Sequence, residues 1–326
     1  MRPVVVLGGY GRLGRACVTE LLARTRTPVR ILGRNAQRGE SLALALGERT
    51  SAGYADATDA RVLARALEGA AAVVACCGGD LLVALQTALE LRAPFIGVSP
   101  LELEVRSELR VAELAWQAQV PIVLHAGAVP GIPGLLAEAL VRRLPSIARL
   151  ELASTGPFVG TETAARDQGR ARERAALDRT RRGGRWPELW RFADPVGRVA
   201  VASASSSDLA GFAERHCVGE LRYLEPKVGP LGRALDRVLG RRAQTGFAVA
   251  ARAFAAADAR APAALLELVA ADPISPAAAL AGAIAAALLE GRVAAGLSLA
   301  REAISPAAAL GELEKRGARV RFSARG

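Results

Sequence analysis

The sequence predicts an α/β protein, with a doubly wound parallel sheet at its N-terminus and a second, α+β domain after it. Three observations carry that expectation. Short apolar runs alternate with helical patterns up to about residue 127, the rhythm of a parallel sheet covered by helices. A glycine-rich turn joins the first apolar run to the first helix. Two prolines and two glycines at 130–134 then punctuate the chain, and the strands beyond them are separated by long insertions.

The elements follow in order. Residues 4–7 are four consecutive apolar residues and read as a buried strand. Leu13, Cys17, Leu21 and Leu22 place an apolar stripe on the next helix. Pro28 breaks the chain before a second strand at 29–33, and a helix is expected at 37–46. A weak third strand is placed at 53–57. Asp59 caps a helix at 60–67, which Gly69 ends. Strands at 71–77, 94–98 and 121–125 enclose helices at 81–91 and 102–117. Six strands in this rhythm complete a Rossmann domain over 1–127, leaving 128–326 as a substrate and dimerisation domain. In that second part a helix runs to 144, and strands are expected at 150–155, 199–203, 220–224 and 245–251. The alanine-rich tail from about 275 to 326 reads as helical and is able to pack back on the first domain. Ile-Ser-Pro-Ala-Ala-Ala-Leu occurs at 274–280 and again at 304–310, with Ser275 and Ser305 as expected N-caps and Pro276 and Pro306 at the first helical position.

Composition narrows the class. The chain has 326 residues and is 51% hydrophobic, enough for a large core, while only 4% is aromatic, so aliphatic side chains and alanine must fill it. The net charge is +11, nearly all of it arginine, since Lys227 and Lys315 are the only lysines. The arginines are spread among acids rather than gathered on one stripe, which argues against nucleic acid as the partner. Cys17, Cys76, Cys77 and Cys217 form no CxxC pair, so neither a disulfide framework nor a zinc site is expected. The longest apolar run, 277–289, is too short for a membrane span, and Met1 leads straight into the first strand, so a cytoplasmic protein is expected. A homodimer is compatible with the sequence.

The chemistry concentrates in the glycine turn, Gly9-x-Gly11-x-x-Gly14. Gly9 is read as the tight turn, Gly11 as the place where a pyrophosphate nears the backbone, and Gly14 as the helix–strand packing position. The unpaired N–H groups at the helix start face the phosphates. Gly9, Tyr10, Gly11, Arg12, Leu13 and Gly14 are therefore the expected contacts of a dinucleotide. Arg34 stands at the end of strand two, where an acidic residue would bind the ribose hydroxyls of NAD; an arginine pairs instead with a 2′-phosphate, and Asn35 and Arg38 are close enough to help. NADP is thus expected over NAD. Asp56 is either an adenine partner or a turn aspartate. Cys77, Gly78 and Gly79 fall at the end of strand four, outside which ligands bind, with Cys76 and Cys77 read as packing residues rather than nucleophiles. His125, at the end of strand six, is the candidate acid or base, against the plainer reading of a backbone-bonded structural histidine. His216 is a weaker candidate. The N-terminus of the helix after Pro130 offers N–H groups to a carboxylate or a carboxamide. Tyr223-x-x-x-Lys227 has the spacing of a short-chain dehydrogenase pair, but Pro226 denies it the helix it needs. The stretch 166–191 holds nine arginines, four acids, Trp186 and Trp190; it reads either as a lid or as a solvated face over two packed tryptophans.

The segments 6–15, 31–35, 73–79, 127–134, 287–291 and 295–297 resemble, in that order, the opening turn, second strand end, fourth strand end, Pro-Gly turn and closing helix and turn of the saccharopine dehydrogenase-like NADP-binding proteins. The resemblance implies a Rossmann domain, NADP as cofactor, and hydride transfer to or from a small substrate, with a C–N bond as the reacting bond. It is least at 151–245, where such proteins build substrate pockets. The chain departs from the pattern at Phe95-Ile96-Gly97, where many members carry an acid. A dinucleotide-binding sensor or partner protein without catalysis is the alternative.

Overall fold

Val4–Leu7 forms strand β1, and all four of its side chains are buried. A strand with no exposed face must be covered on both sides, the condition inside a parallel sheet wound with helices. The computed structural model, which describes residues 1–78, 81–100, 105–156, 188–226 and 246–325, has that arrangement. After β1 come α1 (Arg12–Arg24), β2 (Val29–Gly33), α2 (Ala36–Leu46), β3 (Thr50–Tyr54), α3 (Ala60–Leu67) and β4 (Ala72–Ala75). Then follow α4 (Leu82–Glu90), β5 (Phe95–Gly97), α5 (Val105–Ala118) and β6 (Pro121–Leu124). These strands are parallel and ordered β6-β5-β4-β1-β2-β3. The order reverses between β1 and β4, which creates a topological switch point at their carboxyl ends.

The third strand lies at Thr50–Tyr54 rather than at 53–57. Its register on β2, from Val29↔Thr50 to Gly33↔Tyr54, fixes it there. As an edge strand it has no fully buried side chain and so no hydrophobic period to read.

The chain forms two compact units, Met1–Gly127 with Ile274–Ser305, and Ala128–Pro273 with Pro306–Gly326. The segment 274–305 groups with the first unit. In the first unit, α3, α4 and α5 cover one sheet face, where Leu63, Leu67, Leu85 and Val111 pack with Val5, Leu7, Val73 and Phe95.

The second unit contains α6 (Ile132–Val141), β7 (Arg149–Ser154), β8 (Glu188–Arg191), β9 (Arg198–Ser203), a 3-10 turn at Ser207–Leu209, and α7 (Phe212–Arg215). β10 (Glu220–Pro226), β11 (Phe247–Phe254) and β12 (Ala264–Ala270) follow. The chain then returns to the first unit as α8 (Ile274–Leu289), β13 (Gly296–Leu299) and α9 (Ala300–Ala303), and ends in the second as α10 (Pro306–Lys315) and β14 (Arg319–Ala324).

α8 is alanine-rich and buried nearly all round, which marks a core helix. It packs on α1, where a side chain at Gly282 would meet Glu20 Cβ at 2.9 Å. The tail is thus not wholly helical. β13 pairs in parallel with β6 as a seventh strand of the first sheet, and β14 pairs with β12 in the second. The two repeat copies also differ. Pro306 opens α10 with Ser305 before it, whereas α8 begins at Ile274, which puts Ser275 inside the helix.

Among the described residues the second sheet has seven strands, ordered β14-β12-β11-β7-β10-β9-β8, of which only β7 and β10 pair in parallel. α6 packs against β7, β11 and β12. Elsewhere in this unit Trp190, Phe192, Val199 and Val201 cluster with Ala248 and Ala250. Trp190 is buried, and the guanidinium of Arg252 stands 3.7 Å over its ring. Trp186 and the rest of 157–187 lie outside the described residues.

Candidate functional site

The turn after β1 is shaped by its glycines, with roles slightly different from those expected. The left-handed residue is Gly8, at φ +73°, rather than Gly9. A side chain on Gly8 would also strike Cys77, whose Cβ lies 2.9 Å from the added atom. Gly9 is a packing position, closed by Ile31 Cγ2 and Val6 O at 3.0 Å. Gly14 is the tightest: a Cβ there would stand 2.2 Å from Gly8 O and 2.6 Å from Gly9 Cα. Gly11 differs again. A Cβ there would press on Gly8 O at 3.2 Å and meet nothing else within 4 Å, so the space beyond that one contact is open. Gly11 caps α1 without a side chain, and the first turn, which includes Arg12 and Leu13, holds no acid. Backbone N–H groups at an uncapped helix start form an anion site.

The other helix start considered as an anion site is filled from within. Asp208, itself buried, accepts hydrogen bonds from Gly131 N at 2.8 Å and Gly134 N at 2.7 Å, and Ser206 Oγ donates to its other oxygen. The protein's own carboxylate thus occupies the N-terminus of α6, and the expectation that this turn holds a ligand carboxylate or carboxamide is overturned. Sequence reasoning missed Asp208 because its partners lie 77 and 74 residues away.

At the end of β2, Arg34, Asn35 and Arg38 are exposed together. Asn35 caps α2 by accepting Arg38 N–H through Oδ1 at 2.9 Å. Tyr10 reaches across from the glycine turn, and its hydroxyl accepts Asn35 N–H at 3.1 Å. A cleft of about 480 Å³ borders this end of the site between α1 and α2, lined by residues that include Tyr10, Arg15, Arg38 and Leu42. Asp56 folds into a turn, accepting the N–H of Thr58 at 3.0 Å and its hydroxyl at 2.8 Å. Those bonds, helped by nearby Arg34, hold its carboxyl below the usual range.

At the end of β4, Cys76 hydrogen-bonds the buried Cys17. That bond and burial push its thiol well up, so it remains a thiol rather than a nucleophilic thiolate. Cys77 and Gly78 follow, both half-buried; Gly79 lies outside the described residues. His125 follows β6, is 5% exposed and has a left-handed backbone at φ +58°. Such a conformation is uncommon for a residue with a side chain and marks positions held by their surroundings. The register Leu124↔Leu299 sets His125 beside the end of β13, and Arg301, almost fully buried, follows one residue further on in α9.

Of the remaining candidates, His216 and Tyr223 are each bonded to other residues of the second unit. His216 Nε2 pairs with Glu138 at 3.0 Å, and its ring packs on Phe212. Tyr223 lies on strand β10, not on a helix, and Lys227 lies outside the described residues. The Tyr223 hydroxyl donates to Glu225 at 2.8 Å and hydrogen-bonds Ser154 Oγ at 2.9 Å. Burial raises the Glu225 carboxyl above its ordinary value of 4.5, with Asp208 adding to the effect. The folded state therefore holds this proton more tightly than the unfolded chain. The stability it confers is complete below the ordinary value and is lost as pH rises through the raised one. Glu225→Gln should thus become progressively more stable than wild type as pH rises from 4 to 8. Thermal melts across that range test this, and a pH-independent difference would refute it.

Residues 8–92 match a family model described as NAD(P)H-binding. The chain aligns over its whole length with all of apo saccharopine dehydrogenase (L-Glu forming) from Saccharomyces cerevisiae, at TM-score 0.67 and 11% identity. The fold is saccharopine dehydrogenase-like. The WlbA (WbpB) dehydrogenase from Thermus thermophilus, solved with NAD and UDP-GlcNAcA, covers 100% of the chain and 97% of its own, at TM-score 0.51 and 13% identity. No curated protein matches the sequence. Among the described residues, no helix is long and apolar enough to cross a membrane.

Proposed function

We propose that the protein is an NADP-dependent oxidoreductase which moves hydride between NADP(H) and a small substrate, at a C–N bond as in the dehydrogenase whose fold it shares. The observation that carries this reading is the pairing of an open glycine cradle at Gly11 with Arg34 at the end of β2. Gly9, Gly11 and Gly14, with the N–H groups at the start of α1, would hold the pyrophosphate. Arg34 and Arg38 would take the 2′-phosphate, which a carboxylate at the end of β2 would repel. Cys77 and Gly78 would line the path towards the nicotinamide. The cofactor supplies the hydride. The chain's part is to hold it and exclude water, with His125 as the proton-handling side chain at the carboxyl end of β6.

Fluorescence titration with NADPH and NADH tests the cofactor assignment. Wild type should bind NADPH more tightly, and Arg34→Ala should weaken NADPH about tenfold or more, the worth of a charge-assisted hydrogen bond, while NADH is little changed. Equal binding of the two nucleotides by wild type would refute the NADP assignment, and binding of neither would refute the oxidoreductase reading.

A further inference from the structure

We infer that Tyr10 is a positioning residue which sets the preference for a 2′-phosphorylated dinucleotide by holding the β2 end of the site in its binding geometry. This rests on the NADP reading above. Three links tie the tyrosine to that end. Its ring occupies the space over Gly33, where an added Cβ would come 2.5 Å from Cε1 and 2.9 Å from the hydroxyl oxygen. Its hydroxyl accepts Asn35 N–H at 3.1 Å. Its ring stands beneath the Arg38 guanidinium, 5.2 Å from the centroid. Asn35 closes the circuit through Oδ1 to Arg38 N at 2.9 Å.

Each link has a consequence for an arriving phosphate. Arg38 sits in the first turn of α2, where the helix dipole disfavours a cation unless an anion joins it. An exposed arginine also samples many rotamers, and contact with the ring narrows them towards one. The second guanidinium is thereby ordered before the ligand arrives, which lowers the entropic cost of binding. By accepting Asn35 N–H, the phenol oxygen also fixes the residue that caps the start of α2, from which Arg38 projects. An unphosphorylated ribose gains little from a second cation. The effect of Tyr10 should therefore fall on NADPH and spare NADH.

The test is the ratio of dissociation constants for NADPH and NADH in wild type, Arg34→Ala, Arg38→Gln, Tyr10→Phe and Tyr10→Leu. Phe keeps the ring over Gly33 and removes only the hydroxyl; Leu removes both. We expect Tyr10→Phe to weaken NADPH by about fivefold and Tyr10→Leu by about tenfold or more, with NADH within about twofold in each. Adding Arg38→Gln to Tyr10→Leu should cost less than the two single losses combined, since one acts through the other. If wild type shows no NADPH preference, the cofactor assignment fails first. If wild type prefers NADPH and Arg34→Ala abolishes that preference while both Tyr10 variants retain it, the assignment stands and the role of Tyr10 is refuted. Equal weakening of NADPH and NADH in the Tyr10 variants would also refute it, by showing that Tyr10 only shapes the turn.

Discussion

Gly14→Ala should destabilise the protein by about 3 kcal/mol or more, the upper range for overpacking a close-packed site, and abolish dinucleotide binding. The added methyl group would stand 2.2 Å from Gly8 O and 2.6 Å from Gly9 Cα. Both are backbone atoms, so no rotamer change relieves the contact. α1 would have to move off β1, taking the N–H groups of its first turn with it. Gly11→Ala is the informative contrast. Its Cβ meets only Gly8 O, at 3.2 Å, and its φ of −70° suits any residue. That variant should cost far less stability than Gly14→Ala and still lose affinity, because the methyl group fills the space a pyrophosphate needs. Thermal melts paired with NADPH titration separate the two effects. If Gly14→Ala melts with wild type, the packing argument is wrong.

Asp208→Ala should cost about 3 kcal/mol or more of stability, the combined cost of leaving two buried N–H groups without their acceptor. The substitution strands the N–H groups of Gly131 and Gly134 and removes an anion from the positive end of α6. Asp208→Asn, which keeps one acceptor oxygen, should cost roughly half as much. Urea unfolding measures both, and a change below about 1 kcal/mol for the alanine variant would mean that water serves the helix end equally well. The same carboxylate bars an outside anion from that helix start.

The alternating half of the fold was legible because strands buried on both faces leave unbroken apolar runs, as β1 and β4 do. Strands at sheet edges were harder. Thr50–Tyr54 buries no residue fully, so its neighbours looked equally strand-like. Gly296–Leu299 has only two large apolar side chains, and its partner β6 lies far upstream. Arg319–Ala324 is mostly exposed at the edge of the second sheet, so its sequence carries little hydrophobic signal. Within the candidate site, the glycine turn and the place of Arg34 just after β2 are readable because both are features of a short local window. The doublet Gly8-Gly9 was not resolved by spacing, since only the backbone shows which of the two takes the positive φ. Asp208 and the Tyr10–Arg38 contact arise from long-range packing, which no local window contains.

The split course of the first unit bears on how the protein is made. A ribosome delivers the glycine turn first, yet α8 reaches α1 only when residues 274–289 have emerged, and β6 gains its outer neighbour only once Leu299 has. Until then the nascent sheet has an open edge at β6, and one face of α1 lacks its cover. Both are surfaces that invite wrong partners. The unit that carries the NAD(P)H-binding match should therefore mature late in synthesis, although most of it is encoded ahead of the second unit. An excised 1–127 fragment should aggregate where the full chain does not, and joining 274–305 to it should restore solubility.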